Sequence, residues 1–215
     1  MIKNKYRKRA LQIAWPSVLE SFFISLAGLI DTFMVSSIGA SAVAAIGLTT
    51  QPKFIALSIF IAIAVSVSAL VARRKGEDDK KMANQTMVTA MIVAVSLCII
   101  VSAIFVIFTP QIMRLSGSSP DTHDLGVSYF KIIMAGMIFN VISMTINAGQ
   151  RGSGNTQIAF TTNLISTIVN ILFNYLLIGG NLGFPKLGVT GAAIATVLGA
   201  FVAAIMSFSS LFRRS

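Results

Sequence analysis

The sequence predicts an all-α fold, a polytopic membrane bundle of six transmembrane helices. Of the 215 residues, 55% are hydrophobic and only 11% are charged, whereas a soluble domain has roughly 25% charged residues. Six apolar stretches could each cross a hydrocarbon core of about 30 Å, which takes roughly 20 helical residues. No strand-like alternation appears, so the backbone must satisfy its hydrogen bonds in helices. The predicted spans are 10–37, 42–72, 84–108, 121–148, 157–179 and 189–212, in one lobe over residues 1–215.

The distribution of basic residues predicts the topology. The segments "KNKYRKR" (3–9) and "RRKGEDDKK" (73–81) each hold five Lys/Arg, and the chain ends in "RR" before its last serine. The loops of the opposite side hold only Arg114 and Lys186. Because basic loops stay cytoplasmic, we expect a multi-pass plasma-membrane protein with both termini in the cytoplasm. The net charge of +10 is then explained by topology and lipid headgroups, and no nucleic-acid partner is expected.

The scarcity of reactive side chains limits the chemistry. One cysteine, Cys98, and one histidine, His123, exclude an internal disulfide and make a Cys/His metal site unexpected. We therefore predict no catalytic residues, no enzyme activity and no cofactor.

Four polar side chains are predicted to lie at one depth. A carboxylate in a membrane span costs about 2.5 to 3.5 kcal/mol on insertion scales, so Asp31 needs partners or a function. Asp31 and Asn174 come five or six residues before the outer ends of the first and fifth spans, and Asn170 is one turn deeper than Asn174. Thr196 is seven residues into the sixth span. At 1.5 Å per residue, all four lie about 7 to 14 Å from the outer boundary.

The fifth span carries a polar stripe. Asn163, Thr167, Asn170 and Asn174 follow the i, i+4, i+7, i+11 spacing of one helix face. Interhelical hydrogen bonding, at about 0.6 to 2 kcal/mol per contact, is the preferred interpretation for Asn163 and Thr167. For Asn170 and Asn174 we favour an oxygen cage for a small cation, or a proton relay.

Three further residues are candidates for a cavity or relay role. Glu20 precedes Asp31 by eleven residues, which returns it to nearly the same helix face roughly 16 Å deeper. Lys53 follows "TTQP", which contains Gln51, and lies between the two carboxylates in depth. A purely structural ion pair is the alternative for Lys53, because charges in membranes commonly pair.

The sixth span has small residues at a stride of four, a pattern that permits close approach of another helix. These are Gly191, Ala195, Gly199 and Ala203. The pattern predicts packing rather than chemistry.

Several segments in order resemble one transporter family over essentially the whole chain. "AWPSVLESFFISLAGLIDTFMVSSIGASAVAAIGL" is similar to the first helices of multidrug and toxic compound extrusion (MATE) transporters. "GQRGSGNTQ" resembles the family's "RG.GDT" loop, with Asn155 in place of the usual Asp. "NILFNYLLIGG" and "LGVTGAAIATVLG" resemble its fifth and sixth helices.

The resemblance implies a secondary active antiporter that exports organic, often cationic, compounds in exchange for protons or sodium ions. The family's coupling site uses a first-helix Asp, two fifth-helix positions and a sixth-helix Thr, which correspond here to Asp31, Asn170, Asn174 and Thr196. A sodium ion at these residues is the one metal expected. Position 174 is often Asp in members with a well-defined sodium site, so Asn174 removes a charge.

The family normally has twelve helices in two lobes, and this chain corresponds to the N-terminal lobe. The expected partners are the lipid bilayer, a small organic substrate and a second lobe, either a C-terminal half or a second copy. Two alternatives stay open. A lipid-linked oligosaccharide flippase of the same superfamily would need several Arg/Lys in its cavity, where Lys53 and Lys131 are the candidates. A non-transporting membrane scaffold would not need Asp31 aligned with the two asparagines.

Overall fold

The computed structural model describes residues 15, 18–19, 21–23, 25–26 and 28–212, and this part of the chain is helical with short connections. No strand occurs among these residues, which confirms the all-α prediction. Helices suit a bilayer because each backbone donor and acceptor is paired within its own segment. The helices are α1 (Ser21–Ser36), α2 (Ala40–Gly76), α3 (Lys80–Ile107), α4 (Thr109–Leu115), α5 (Pro120–Ala135), α6 (Met137–Gly152), α7 (Thr156–Gly179) and α8 (Gly188–Phe212), with a 3₁₀ turn at Asn181–Gly183.

Within the described residues, α2, α3, α7 and α8 are each long and apolar enough to cross a membrane, and α5 with α6 forms a fifth, bent span. The architecture of a polytopic helical bundle is therefore confirmed. The predicted first span, 10–37, lies partly outside the described residues, and α1 is its described part. The predicted span over 121–148 corresponds to α5 and α6 together, which meet at Gly136 with a bend of 45°.

The bend at Gly136 is explained by its contact with α8. A Cβ atom at this position would lie 2.4 Å from Cγ2 of Val197, so α8 approaches the backbone where only a glycine fits. The start of α5 is defined by Pro120 in the first turn and by a capping box between Ser119 and Thr122. Local signals therefore start this span, and a tertiary contact bends it.

We call the end of the bundle where α2, α6 and α8 end, and α3 and α7 begin, the basic end. It carries six described cations: Arg73, Arg74, Lys75, Lys80, Lys81 and Arg151. Glu77 hydrogen-bonds Arg73 at 3.0 Å and Arg74 at 2.9 Å, which lowers the pKa of its carboxyl group. The Lys75 ammonium donates to the carbonyl oxygen of Ser153 and so ties the end of α2 to the α6–α7 loop.

Helix α6 lies at the centre of the bundle, against α2, α3, α7 and α8. On its inner half, the buried side chains of Ser143 and Asn147 hydrogen-bond Ser207 of α8 at 3.1 Å each. Asn147 also donates to Ser143 at 3.3 Å. This closed network satisfies buried polar groups that would otherwise be costly in an apolar interior.

Helices α7 and α8 pack closely along the small-residue stripe of α8. A Cβ atom built on Gly191 would lie 2.6 Å from the carbonyl oxygen of Leu177. A Cβ atom built on Gly199 would lie 2.8 Å from the carbonyl oxygen of Ser166. The Ser166 hydroxyl donates to the carbonyl oxygen of Gly199 at 2.8 Å. The predicted packing role of the stripe is thus seen directly, and it fixes the distance between side chains on the two helices.

Candidate functional site

The four residues placed at one depth lie together where α1, α7 and α8 meet. The Asn174 side-chain nitrogen donates to Oδ1 of Asp31 at 2.6 Å. With its nitrogen turned toward the carboxylate, Asn170 donates to both Asp31 oxygens, at 2.9 and 3.2 Å, and its oxygen accepts from the Thr196 hydroxyl at 3.3 Å. The opposite orientation would bring the Asn170 oxygen against a carboxylate, so the hydrogen-bond network decides between the two.

One acceptor in this cluster is unused. The side-chain oxygen of Asn174 is buried and has no hydrogen-bond partner among the described residues. An orphaned buried acceptor typically costs about 1 to 3 kcal/mol, so such an atom calls for an explanation. Beside a carboxylate, an oxygen of this kind suits a small cation or a proton donor.

The close contact of α7 with α8 assembles most of the cluster. Asn170 and Asn174 are one turn apart on a buried face of α7. Because Gly199 has no side chain, α8 packs closely against that face. A Cβ atom built on Gly199 would lie 3.2 Å from Cβ of Asn170. Thr196 is thereby held within reach of Asn170, and α1 adds the carboxylate of Asp31.

Tyr129 of α5 is a site residue that the sequence did not reveal. It is buried, hydrogen-bonds Thr196 through its side chain and lies close enough to Asp31 for electrostatic interaction. A single tyrosine in an apolar span gives no periodic signal. Its position could be found only from the packing of α5 against α8.

The Asp31 carboxylate faces a polar cavity of about 510 Å³. The predicted stripe of α7 forms one wall, through Asn163, Thr167 and Asn170, together with Ser166. A second stripe, on α6, forms the facing wall and was missed at the sequence level. Its members share the i, i+3, i+7, i+11 spacing of one helix face, and they are Asn140, Ser143, Asn147 and Arg151.

Lys53 is near this site without forming an ion pair in it. Its charge interacts with that of Asp31, yet the two described side chains form no direct salt bridge. Lys53 lines a separate cavity of about 100 Å³, and Asn140, Thr196 and Ala200 line both cavities. These three residues therefore form the wall between the cavity of Lys53 and the cavity of Asp31.

The structure describes one of the other two relay candidates. Gln51 is exposed on α2 and does not line the cavity that contains Asp31. Glu20 lies outside the described residues. No group of three His, Cys, Asp or Glu suited to a metal ion occurs in the part of the chain that the structure describes. The oxygen atoms available around Asp31 are those of one carboxylate, two amides and two hydroxyls.

The fold and this cluster define a class: helical membrane proteins with a cavity inside the bundle that polar side chains and a carboxylate line. The MatE family model matches residues 16–176. The chain belongs to the MatE family of multidrug and toxic compound extrusion transporters, a family of membrane transporters rather than enzymes.

Individual relatives agree with this assignment. The chain is 26% identical over 208 residues to a probable multidrug resistance protein NorM of Thermotoga maritima, covering 97% of this chain and 45% of that protein. It is 30% identical over 197 residues to an FAD transporter of Shewanella oneidensis, covering 92% of this chain and 44% of the relative. An outward-facing multidrug resistance MATE transporter structure superposes with a TM-score of 0.88 at 26% identity, over 96% of this chain and 45% of that one. The chain thus spans slightly less than half the length of these relatives.

Proposed function

We propose that the chain is one lobe of a secondary active antiporter that exports organic, often cationic, compounds in exchange for protons or sodium ions. The observation that carries this proposal is the unpaired buried oxygen of Asn174 beside the Asp31 carboxylate. A purely structural cluster would be expected to satisfy that oxygen. An ion or proton that comes and goes at Asp31 explains why it is free.

We expect the organic cation and the coupling ion to be exchanged because both compete for the charge of Asp31. Asp31 is the one carboxylate that lines the cavity among the described residues, so an organic cation in the cavity is attracted to the same charge that a sodium ion or proton would neutralise. Binding of the small ion removes that attraction and favours release of the organic cation. Asn170 and Asn174 hold the carboxylate through their side-chain nitrogens, Thr196 holds the oxygen of Asn170, and the unpaired oxygen of Asn174 is the ligand available to the ion.

The cavity supports an organic substrate of drug size. Its volume of about 510 Å³ falls within the roughly 300 to 1,000 Å³ of small-molecule pockets. The relatives described as multidrug resistance proteins support a broad substrate range, and the FAD transporter indicates that large organic ligands occur among similar proteins.

Transport also requires a second body. Alternating access in transporters of this kind comes from two repeats that rock around a shared site. A C-terminal half or a second copy of this chain would supply the missing lobe, and the monomeric lobe would not transport. The basic end faces the cytoplasm of a plasma-membrane protein in this arrangement, because it carries most of the described Lys and Arg.

The charge of the cavity disfavours the flippase alternative. A cavity for a lipid-linked phosphate would hold several cations, whereas Arg151 is the one Lys or Arg that the described part of the chain contributes to the Asp31 cavity. Lys53 lines the separate small cavity, which Thr196 also lines, and Lys131 is exposed on α5. A membrane scaffold is disfavoured by the unpaired Asn174 oxygen.

The test is ion-dependent stabilisation of the purified chain in detergent. The melting temperature should rise with sodium chloride relative to choline chloride at equal ionic strength, or rise on acidification if protons are the coupling ion. The Asp31→Asn variant should show neither response. A wild-type chain whose melting temperature depends on neither ion, or a variant that responds fully, would refute the proposed coupling site.

A further inference from the structure

A second cavity, of about 410 Å³, opens at the basic end between α3 and α8, with α6 as its floor. We call it the α3–α8 groove. Its rim is polar and basic, through Lys75, Lys80, Asn84 and Gln150. Its apolar lining includes Met87, deeper along α3, and Leu211 at the end of α8. The groove is distinct from the Asp31 cavity, with which it shares no lining residue.

The positive charge of the groove is available for a ligand. The two arginines nearby, Arg73 and Arg74, are bonded to Glu77. Lys75 donates one hydrogen bond, to Ser153, and an ammonium group has three donors. Lys80 is exposed at the first position of α3. Asp78 contributes one negative charge, so the two lysines leave a net positive rim.

The spacing along α3 matches an amphiphile. Lys80, Asn84 and Met87 line the groove in succession, and at 1.5 Å per residue they extend over about 10 Å toward the bilayer centre. An anionic headgroup at Lys80 would place its polar backbone near Asn84 and the start of an acyl chain against Met87. Because Gly149 of α6 has no side chain, Met87 of α3 packs directly against it and closes the back of the groove. A Cβ atom at position 149 would lie 2.2 Å from Sδ of Met87.

We propose that the α3–α8 groove binds one anionic phospholipid, with its phosphate at Lys75 and Lys80 and an acyl chain against Met87 and Leu211. Basic pockets between membrane helices are suited to anionic lipid headgroups. The chain's own tails do not match this charge, because 3–9 and the "RR" near the end are basic. This binding is independent of the transport proposal, since it uses none of the Asp31 cluster.

The test is native mass spectrometry and thermal unfolding of the full chain in detergent, with phosphatidylglycerol and phosphatidylcholine compared. The wild-type chain should retain one phosphatidylglycerol in preference to phosphatidylcholine, and this lipid should raise the melting temperature. Lys80→Gln should weaken retention about fivefold, which is the contribution of about one lysine near a lipid surface. Lys81→Gln removes the same charge in the same first turn of α3, outside the groove, and should bind as the wild type does.

The apolar part of the site is tested separately. Ala83→Trp fills the groove beside Lys80 and should abolish phosphatidylglycerol retention, whereas Val88→Trp adds the same ring on the exposed face of α3 and should not. Glycerol 3-phosphate and inorganic phosphate should produce no shift, because they lack the acyl chain. Equal retention of the two lipids, equal losses in Lys80→Gln and Lys81→Gln, or an equal shift with glycerol 3-phosphate would each overturn the proposal.

Discussion

The side-chain nitrogen of Asn174 lies 2.6 Å from Oδ1 of Asp31, joining α7 to α1 inside the bundle. A contact this short between an amide and a carboxylate is typical of a charge-assisted hydrogen bond. It leaves the other atom of the same amide, Oδ1 of Asn174, unpaired in the described residues. The predictions below concern this relationship and the helix packing that supports it.

Replacing Asp31 by Asn should retain the fold and remove the response to ions. Asparagine keeps an acceptor for Asn170 and Asn174 and avoids the cost of a carboxylate in the membrane, so stability should hold or rise. Thermal unfolding with and without sodium, at several pH values, measures both effects. Asp124→Asn, an exposed change of the same charge, is the control and should keep the wild-type response. Unfolding of Asp31→Asn would indicate a structural carboxylate instead.

Asp31 and Lys53 should show weak energetic coupling. Because no direct salt bridge joins them, a double-mutant cycle with Asp31→Asn and Lys53→Met should give an interaction energy below about 1 kcal/mol. The measurement is the free energy of unfolding of the two single variants and the double variant. A coupling of about 3 kcal/mol or more, with stability restored in the double variant, would identify a buried ion pair.

Gly199→Ala should destabilise the bundle and loosen the site. The new Cβ would meet the Ser166 carbonyl oxygen at 2.8 Å, and such overpacking costs about 1 to 3 kcal/mol. Because α7 and α8 must separate, the Asn170–Thr196 contact should weaken and ion-dependent stabilisation should fall. Gly47→Ala on α2 has open space at its Cβ and should be neutral or stabilising by up to about 1 kcal/mol. Equal melting temperatures for the two variants would contradict the close packing.

Asn174→Asp should strengthen cation binding and lower stability without a cation. A second carboxylate beside Asp31 adds an anionic ligand but repels its neighbour when no cation is present. We expect sodium affinity to rise about tenfold, or about 1.4 kcal/mol, as measured by sodium titration of the melting temperature. Asn140→Asp places a carboxylate on the α6 wall of the Asp31 cavity and should leave sodium affinity nearly unchanged. If sodium affinity rises equally in both variants, the total charge of the cavity, rather than the cluster around Asp31, controls sodium binding.

The sequence was sufficient to predict that Asp31, Asn170, Asn174 and Thr196 lie at one depth in the membrane. In a regular helix, the number of residues from the end of a span gives the distance from the membrane boundary. The stripe on α6 has an equally regular spacing from Asn140 to Arg151. The fourth span was predicted from its apolar length rather than from its polar positions, and Arg151 lies beyond the predicted end at residue 148.

The remaining features depend on contacts that no local pattern encodes. Gly136 marks the bend through its contact with Val197 of α8, a residue 61 positions later. Tyr129 reaches Thr196 only because that bend and the packing of α5 on α8 bring them together. Sequence reasoning placed Lys53 near Asp31 in depth but could not supply the wall of Asn140, Thr196 and Ala200 between their cavities.

That wall has a kinetic consequence for an ion at Asp31. An exchanger must release its ion as readily as it captures it, so very tight binding would slow turnover. In the proposed antiporter, the charge of Lys53, which forms no salt bridge with Asp31, opposes an arriving cation without occupying the oxygens that would bind it. We expect this separation to shorten the residence time of the ion while leaving its site open.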